Sequence, residues 1–419
     1  MNFKNKLILI CFTCFLFAFF FIISIVYAND IDHSENYDFD SFAVSSTVTS
    51  EPNLNSRAAI ILERSTGAIL FGKNETEIRK MASTTKIMTA IVVLENVENL
   101  SEIVTVSKKA SSIGGSRLGL SVGDKISVED LLYGLLLCSG NDTAIALAEF
   151  VGGNLEGFAN LMNQKALSLG LNNTHFVTPH GLDNDEHYTT AYELALLTNY
   201  ALENKTFSEI VSARTYTVQI NNHTKNISTT NELLGYLNGV YGVKTGFTNG
   251  ANRCLVTACK REDLDIICIV LGSDTKKFRT QDSIKLIEYA FSNFEMVDIN
   301  SIIQENFSNW QQQSSNNFFI NKGVSSNVET SIANITFSKY PVNTLNIENI
   351  EIEIDCLYDF EAPLLKDTKI GTLHCYIDNT EICNLSIYSS KAILKKNVFS
   401  YLDDFIKNYC TYLESIYNL

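Results

Sequence analysis

Three short stretches hold residues able to act on a carbonyl group. Ser83 and Lys86 stand in MASTTKIMTA (81–90), one turn apart if that stretch is helical. A serine hydroxyl becomes a nucleophile when a base takes its proton, and a lysine three residues on lies on the same helix face. The same spacing also fits a serine N-cap followed by a solvated lysine. Spacing alone does not separate the two, since Ser273-Asp-Thr-Lys276 repeats it. Ser139-Gly-Asn141 interrupts the apolar run LLLCSGNDTAIALAE. Such a break exposes backbone groups and marks either a site or a plain helix-to-helix turn capped by Asn141 or Asp142. Lys244-Thr245-Gly246 occurs once in the chain. Gly246 lets a ligand approach the backbone, while the Lys244 ammonium and the Thr245 hydroxyl suit a carboxylate. Taken by itself, it fits an exposed turn at a strand end equally well.

The surrounding patterns predict what positions these residues. Apolar runs at 58–62 and 68–71, joined by Ser65-Thr66-Gly67, read as a β-hairpin. From 82 to about 96 the apolar spacing is helical, which puts Ser83 at a helix N-terminus. A helix over 128–137 breaks at 139–141 and resumes over 143–150; others cover 155–168 and 190–203. Strands follow at 216–220, 253–259 and 266–271, then a helix over about 280–294. Hairpin, helices, strands and a closing helix make an α+β domain over 56–296. Ile350, Ile352, Ile354 and Cys356 then alternate with polar residues, and 297–391 reads as a small all-β domain. Residues 392–419 carry one apolar stripe at spacings of three and four, an amphipathic helix. That stripe fits packing on the β domain or a partner as well as it fits an interfacial membrane anchor.

The 419 residues have room for two or three domains, and 45% hydrophobic with 19% charged residues is a globular composition. A net charge of −15 argues against nucleic acid as a partner. Lys4 and Lys6, an apolar run from Leu7 and a close at Val26-Tyr27-Ala28 read as a secretory signal over 1–28. The run is also nearly long enough to span a bilayer, and the cleavage-site pattern favours removal over retention as an anchor. Residues 29–55 are acidic and rich in Ser, Thr and Asn, a flexible linker. The cysteines beyond the signal show no CxxC pair and no histidine at zinc spacing, so they read as small core residues. One disulfide outside the cell stays open, and no metal or cofactor is implied.

Ser-x-x-Lys, Ser-x-Asn and Lys-Thr-Gly in that order form the signature of the penicillin-recognising serine enzymes. The chain resembles the serine-type D-alanyl-D-alanine carboxypeptidases, the low-molecular-mass penicillin-binding proteins. GSRLGLSVGDKISVEDLLYGLLLCSGNDTAIALAE, HFVTPHGLDNDEHYTTAYELALL and GVYGVKTGFTNGANRCLV each resemble family segments. The resemblance is strong over 57–296 and weaker through APLLKDTKIGTLHCYIDN. It implies a transpeptidase fold of the penicillin-binding-protein and β-lactamase type, an antiparallel sheet with helices, ahead of the β domain and terminal helix.

It also implies roles. Ser83 attacks the penultimate D-alanine carbonyl of a peptidoglycan stem peptide, and Lys86 takes its proton, helped toward neutrality by burial and by the charge of Lys244. The backbone N–H groups of Ser83 and Phe247 form the oxyanion hole. Ser139 relays a proton to the leaving amine, Asn141 holds the substrate amide, and Lys244 and Thr245 bind the terminal carboxylate. β-Lactams acylate Ser83 as mimics of that end, and the enzyme works outside the cell membrane. Met81 stands where the family usually has proline, and Phe247 follows the Lys-Thr-Gly at a position the family varies.

Two alternatives stay open. A class A-like β-lactamase needs a glutamate between the second and third motifs; EPNLN at 51–55 precedes Ser83, and no such motif stands over 142–243. A non-catalytic penicillin-binding or scaffolding module is the other, against which the intact polar set speaks. His180 and His187 read as residues shaping a nearby loop.

Overall fold

The computed structural model describes residues 51–314 and 317–417. The expected signal and all of the expected linker up to residue 50 lie outside the described residues. The chain divides into two units, one ending at Asn293 and one beginning at Phe294.

In the first unit β1 (Ala58–Glu63) and β2 (Ile69–Lys73) form the hairpin. A 3-10 turn over Ala82–Thr85 runs directly into α1 (Lys86–Asn96). Every residue of α1 from Lys86 to Val93 is buried, the mark of a core helix rather than an amphipathic surface one. β3 (Ile103–Thr105), α2 (Lys108–Ser112) and β4 (Lys125–Ser127) lead to α3 (Val128–Leu136), α4 (Asn141–Gly152) and α5 (Leu155–Ser168). Next come α6 (Ala191–Glu203) and α7 (Lys205–Ser212). Side-chain caps start several of these helices: Ser127 accepts from Asp130 N, Asn154 from Gly157 N and Thr190 from Glu193 N. Helices α3, α4, α5 and α6 enclose α1.

β5 (Thr215–Ile220) and β6 (His223–Ser228) form a separate hairpin. β7 (Val240–Thr248), β8 (Asn252–Arg261) and β9 (Leu264–Ser273) complete the main sheet, and α8 (Lys276–Asn293) closes the unit. The sheet order is β2-β1-β9-β8-β7, antiparallel throughout. β1 and β9 read as unbroken apolar runs because both faces are covered: α6 and α8 each pack on β9. β7 is an edge strand, and it carries Lys244-Thr245-Gly246 in its interior.

The second unit holds its own core around Leu373, Cys375, Leu385 and Ile387. β10 (Phe294–Val297) is followed by α9 (Ile299–Ser314), a helix that the alternating pattern further on does not announce. Ile299, Ile303 and Phe307, spaced four apart, form its buried stripe. β11 (Phe319–Asn321), β12 (Thr330–Ile332) and β13 (Tyr340–Asn343) precede β14 (Ile350–Cys356), β15 (Asp359–Glu361), β16 (Lys369–Ile377) and β17 (Thr380–Ser389). Four of them form an antiparallel sheet in the order β12-β17-β16-β14. The terminal helix α10 (Val398–Tyr417) exposes Val398, Phe399, Leu402, Phe405, Tyr409 and Tyr412. Its stripe is therefore open rather than laid on the β strands. Among the described residues no helix is long and apolar enough to cross a membrane. All eight cysteines from Cys138 onward are free thiols.

Candidate active site

The site starts from a strained turn. Ala82 has φ 49, in the left-handed region that a side chain disfavours. Two hydroxyls hold the turn: Thr84 Oγ1 donates to Met81 O at 2.7 Å, and Thr85 Oγ1 donates to Ala82 O at 2.7 Å. One residue later α1 begins with Lys86, whose side chain turns back onto Ser83. Lys86 Nζ donates to Ser83 Oγ at 2.7 Å, to Asn141 Oδ1 at 2.7 Å and to His180 O at 2.9 Å. Lys86 has no exposed surface and Ser83 keeps 3%. The solvated-lysine reading of this spacing is therefore excluded.

The break over 139–141 is a second strained turn. Ser139 has φ 60, Gly140 is the N-cap of α4, and Asn141 is its first residue. A Cβ on Gly140 would crowd Thr143 Oγ1 and Asp142 Oδ1. Asn141 is fully buried, with Oδ1 on Lys86 and Nδ2 donating to Gly114 O at 2.9 Å. Its backbone N–H reaches Ser116 O at 2.8 Å. Asp142, also fully buried, fastens the same loop. Its carboxylate accepts from Leu118 N at 2.9 Å, Gly119 N at 2.7 Å, Leu120 N at 3.0 Å and Thr143 N at 3.0 Å.

β7 supplies the third side. Lys244 and Thr245 are buried within the strand, which rules out an exposed strand-end turn. Gly246 is where β7 meets the Ser83 turn: a Cβ there would lie 3.1 Å from Ser83 N and 3.2 Å from Met81 O. Lys244 Nζ donates to Thr245 O at 2.9 Å, and Thr245 Oγ1 sits 2.7 Å from Thr230 Oγ1. The charges of Lys244 and Lys86 both act on Cys138, beside Ser139, although burial still pushes that thiol up to about 11. Half-buried Phe247 faces Arg253 across the strand pair, with the guanidinium 3.7 Å from its ring centroid.

So Lys86 directly contacts both Ser83 and Asn141, Gly246 abuts the Ser83 turn, and Ser139 has the left-handed backbone two residues before Asn141. Ser273 and Lys276 do not repeat the arrangement: the Ser273 hydroxyl is buried without a hydrogen bond at the end of β9, and Lys276 opens α8.

Several residues here have no local signature. Gly181 has φ +84, and a Cβ on it would strike Ala82 O. Burial holds the His180 ring down at about 3, with Lys86 and His187 adding to the effect. The His187 ring is held at about 4, again mainly by burial and further by His175. Both rings are neutral near pH 7, and His180 meets Lys86 through its carbonyl. His187 instead touches Thr85, with Nε2 2.7 Å from Oγ1. Arg279, 1% exposed, pairs with Glu232, whose side chain keeps 13% exposure and which stands two residues from Thr230. The contacts that tie them to the Ser83 turn and to Glu232 come from segments tens of residues away, so the sequence shows the residue types and not the pairings. The buried glutamate between the second and third motifs, Glu193, is bound to Asn173 N at 2.8 Å and to Thr174 Oγ1. Among the described residues no group of three His, Cys, Asp or Glu side chains is placed to hold a metal.

Comparison with known proteins identifies the family. The family profile described as D-alanyl-D-alanine carboxypeptidase matches residues 45–275, more than half of the chain. D-alanyl-D-alanine carboxypeptidase DacF of Bacillus subtilis is 32% identical over 363 residues, covering 84% of this chain and 89% of the relative. DacC of Escherichia coli, of the same description, is 38% identical over 268 residues, covering 61% of this chain and 66% of the relative. Among solved structures, the D-alanyl-D-alanine carboxypeptidase DacD from Francisella tularensis superposes with a TM-score of 0.67 at 25% identity, covering 86% of this chain and all of that one. The Streptomyces K15 DD-transpeptidase gives 0.56 at 35% identity, covering 58% of this chain and all of that one.

Proposed function

The chain belongs to the D-alanyl-D-alanine carboxypeptidase family, and from that premise we propose that it removes the terminal D-alanine of peptidoglycan stem peptides through an acyl-enzyme on Ser83. The observation that carries this reading is the buried contact of Lys86 Nζ with Ser83 Oγ at 2.7 Å. Three acceptors of that nitrogen are a hydroxyl, an amide and a backbone carbonyl, each of them neutral. As the neutral amine, Lys86 turns its lone pair to the Ser83 hydroxyl and becomes the acceptor in this contact, and the pair then attacks a substrate carbonyl placed at Ser83 Oγ.

Attack forms the Ser83 Oγ–carbon bond while the hydroxyl proton passes to the Lys86 amine. The oxyanion is received by the N–H groups of Ser83 and Phe247, and the close approach of Gly246 to Ser83 N supports that pairing. Breaking the carbon–nitrogen bond releases D-alanine, whose amine takes a proton through Ser139. Asn141 positions Lys86 through Oδ1 and faces the substrate amide, since an amide side chain has two donors and two lone pairs. Lys244 and Thr245 hold the terminal carboxylate. Water then cleaves the acyl ester and returns the proton to Ser83. A β-lactam follows the same first step; its opened ring stays attached, so acylation persists.

We place the enzyme outside the cell membrane. The signal-like residues 1–28 support export, and the open stripe of α10 supports peripheral membrane contact. Sedimentation of the chain with anionic vesicles, lost on changing Phe399 and Phe405 to serine, tests the contact.

The functional test is D-alanine release from a peptide ending Lys-D-Ala-D-Ala, with Ser83→Ala alongside. Release by the first protein alone, and penicillin covalently bound at Ser83, is expected. Penicillin binding without release would favour a non-catalytic module instead.

A further inference from the structure

His187 makes no contact with Ser83, yet hydrogen bonds join it to the peptide group that Ser83 belongs to. We propose that His187, acting through the Thr85 hydroxyl, is a positioning residue that aims the Ser83 N–H at the developing oxyanion. The inference rests on the reading of Ser83 N–H as an oxyanion donor.

The chain of donors has one direction only. Val177 N lies 2.9 Å from His187 Nδ1, with Thr178 N at 3.4 Å. A backbone N–H can only donate, so Nδ1 is an acceptor and the proton of the neutral ring lies on Nε2. Nε2 therefore donates to Thr85 Oγ1 at 2.7 Å. The single hydroxyl proton of Thr85 is left for Ala82 O, at 2.7 Å. Ala82 C=O and Ser83 N–H are opposite ends of one planar trans peptide group. Fixing the oxygen fixes the direction of the N–H. Donation to the oxygen also polarises the group, which makes its N–H a stronger donor.

The turn needs such a hold. Ala82 sits at φ 49, where an alanine does not rest by preference. Gly181, with φ +84, closes on the same carbonyl from the other loop, and it must be glycine because Ala82 O stands where a Cβ would go. His187 is itself held in place: it is 2% exposed, and its ring meets Phe176 edge-on at 5.7 Å.

The test compares Thr85→Val, which keeps the shape and removes the hydroxyl, with Thr85→Ser, which keeps the hydroxyl. Rates of D-alanine release and of acylation by penicillin are measured, together with binding of a peptide boronic acid and of the product peptide. The boronate becomes tetrahedral on Ser83 and uses the oxyanion hole; the product need not.

Deleting an oxyanion donor outright costs 10²–10³ in rate, so misaiming one should slow Thr85→Val about tenfold or more in kcat with KM little changed. Boronate binding should weaken by a similar factor and product binding should not. Thr85→Ser should restore both. If Thr85→Val does not fold, His187→Asn, which leaves Thr85 without its donor, carries the same expectation. A valine variant at wild-type rate, a serine variant as slow as valine, or equal loss for boronate and product would each overturn the proposal. A wild-type protein that neither releases D-alanine nor takes up penicillin would overturn the functional reading first, and this inference with it.

Discussion

Asp142→Asn is the substitution from which the structure predicts most. The carboxylate is fully buried, and each oxygen takes two backbone N–H groups: Leu118 and Thr143 on Oδ1, Gly119 and Leu120 on Oδ2. Asparagine replaces one oxygen with an NH2 that faces two donors. Hydrogen bonds to a charged group contribute about 1.5–3 kcal/mol each, so losing two destabilises the first unit by about 3–6 kcal/mol. At roughly 2–4 °C per kcal/mol for a unit of this size, the melting temperature falls by about 6–24 °C. The loop that loosens is the one whose Gly114 and Ser116 carbonyls hold Asn141, and Asn141 holds Lys86. Penicillin acylation measured well below the melting transition should therefore slow too, by up to about a hundredfold if Lys86 shifts by about 1 Å. Thermal unfolding followed by circular dichroism and acylation followed by intact mass read the two effects separately. A variant that melts within about 2 °C of wild type and acylates normally would refute the idea that this carboxylate fastens the loop.

Other expectations follow from single contacts. Lys86→Met removes the base and should slow acylation by about 10²–10⁴, measured by penicillin uptake; unchanged uptake would remove Lys86 from the chemistry. Gly246→Val drives a branched side chain at Ser83 N and Met81 O, so activity should vanish while circular dichroism stays native, with Gly246→Ala in between. Arg279→Met strips the largely enclosed Glu232 of its guanidinium partner, leaving the Thr280 hydroxyl and the Lys276 charge, and should cost up to about 3–5 kcal/mol in urea unfolding, whereas a loss below about 1 kcal/mol would show the pair to be dispensable. His180 and His187 bind protons near 6.5 when unfolded but only near about 3 and about 4 when folded. Between those values the unfolded chain holds more protons, so stability is complete above pH 6.5 and falls as the pH drops toward 4. The slope is up to about 1.4 kcal/mol per pH unit for each ring. Urea midpoints at pH 7 and pH 5 should differ accordingly, and His187→Asn should roughly halve the difference.

Much of this protein was legible in the order of its residues. The apolar spacing after Ser83 announced a helix and the IICIVL run a strand, although their burial on every side came only from the packing. The pairing of Ser83 with Lys86 and the break over 139–141 rest on spacing within one turn or one interruption, distances that local geometry sets. Tertiary structure decided the rest. Lys244-Thr245-Gly246 looks the same at an exposed turn as inside a buried edge strand, and only pairing with β8 distinguishes them. Helix α9 was hidden among strands because its apolar stripe is short and the rest of the helix is polar-rich. That the stripe of α10 stays open rather than packed depends on neighbours that its own periodicity does not name. The roles of Gly181, His187 and Asp142 come from backbone N–H and C=O groups brought against them from distant segments. Every residue carries those groups alike, so a sequence records where they are but not where they meet.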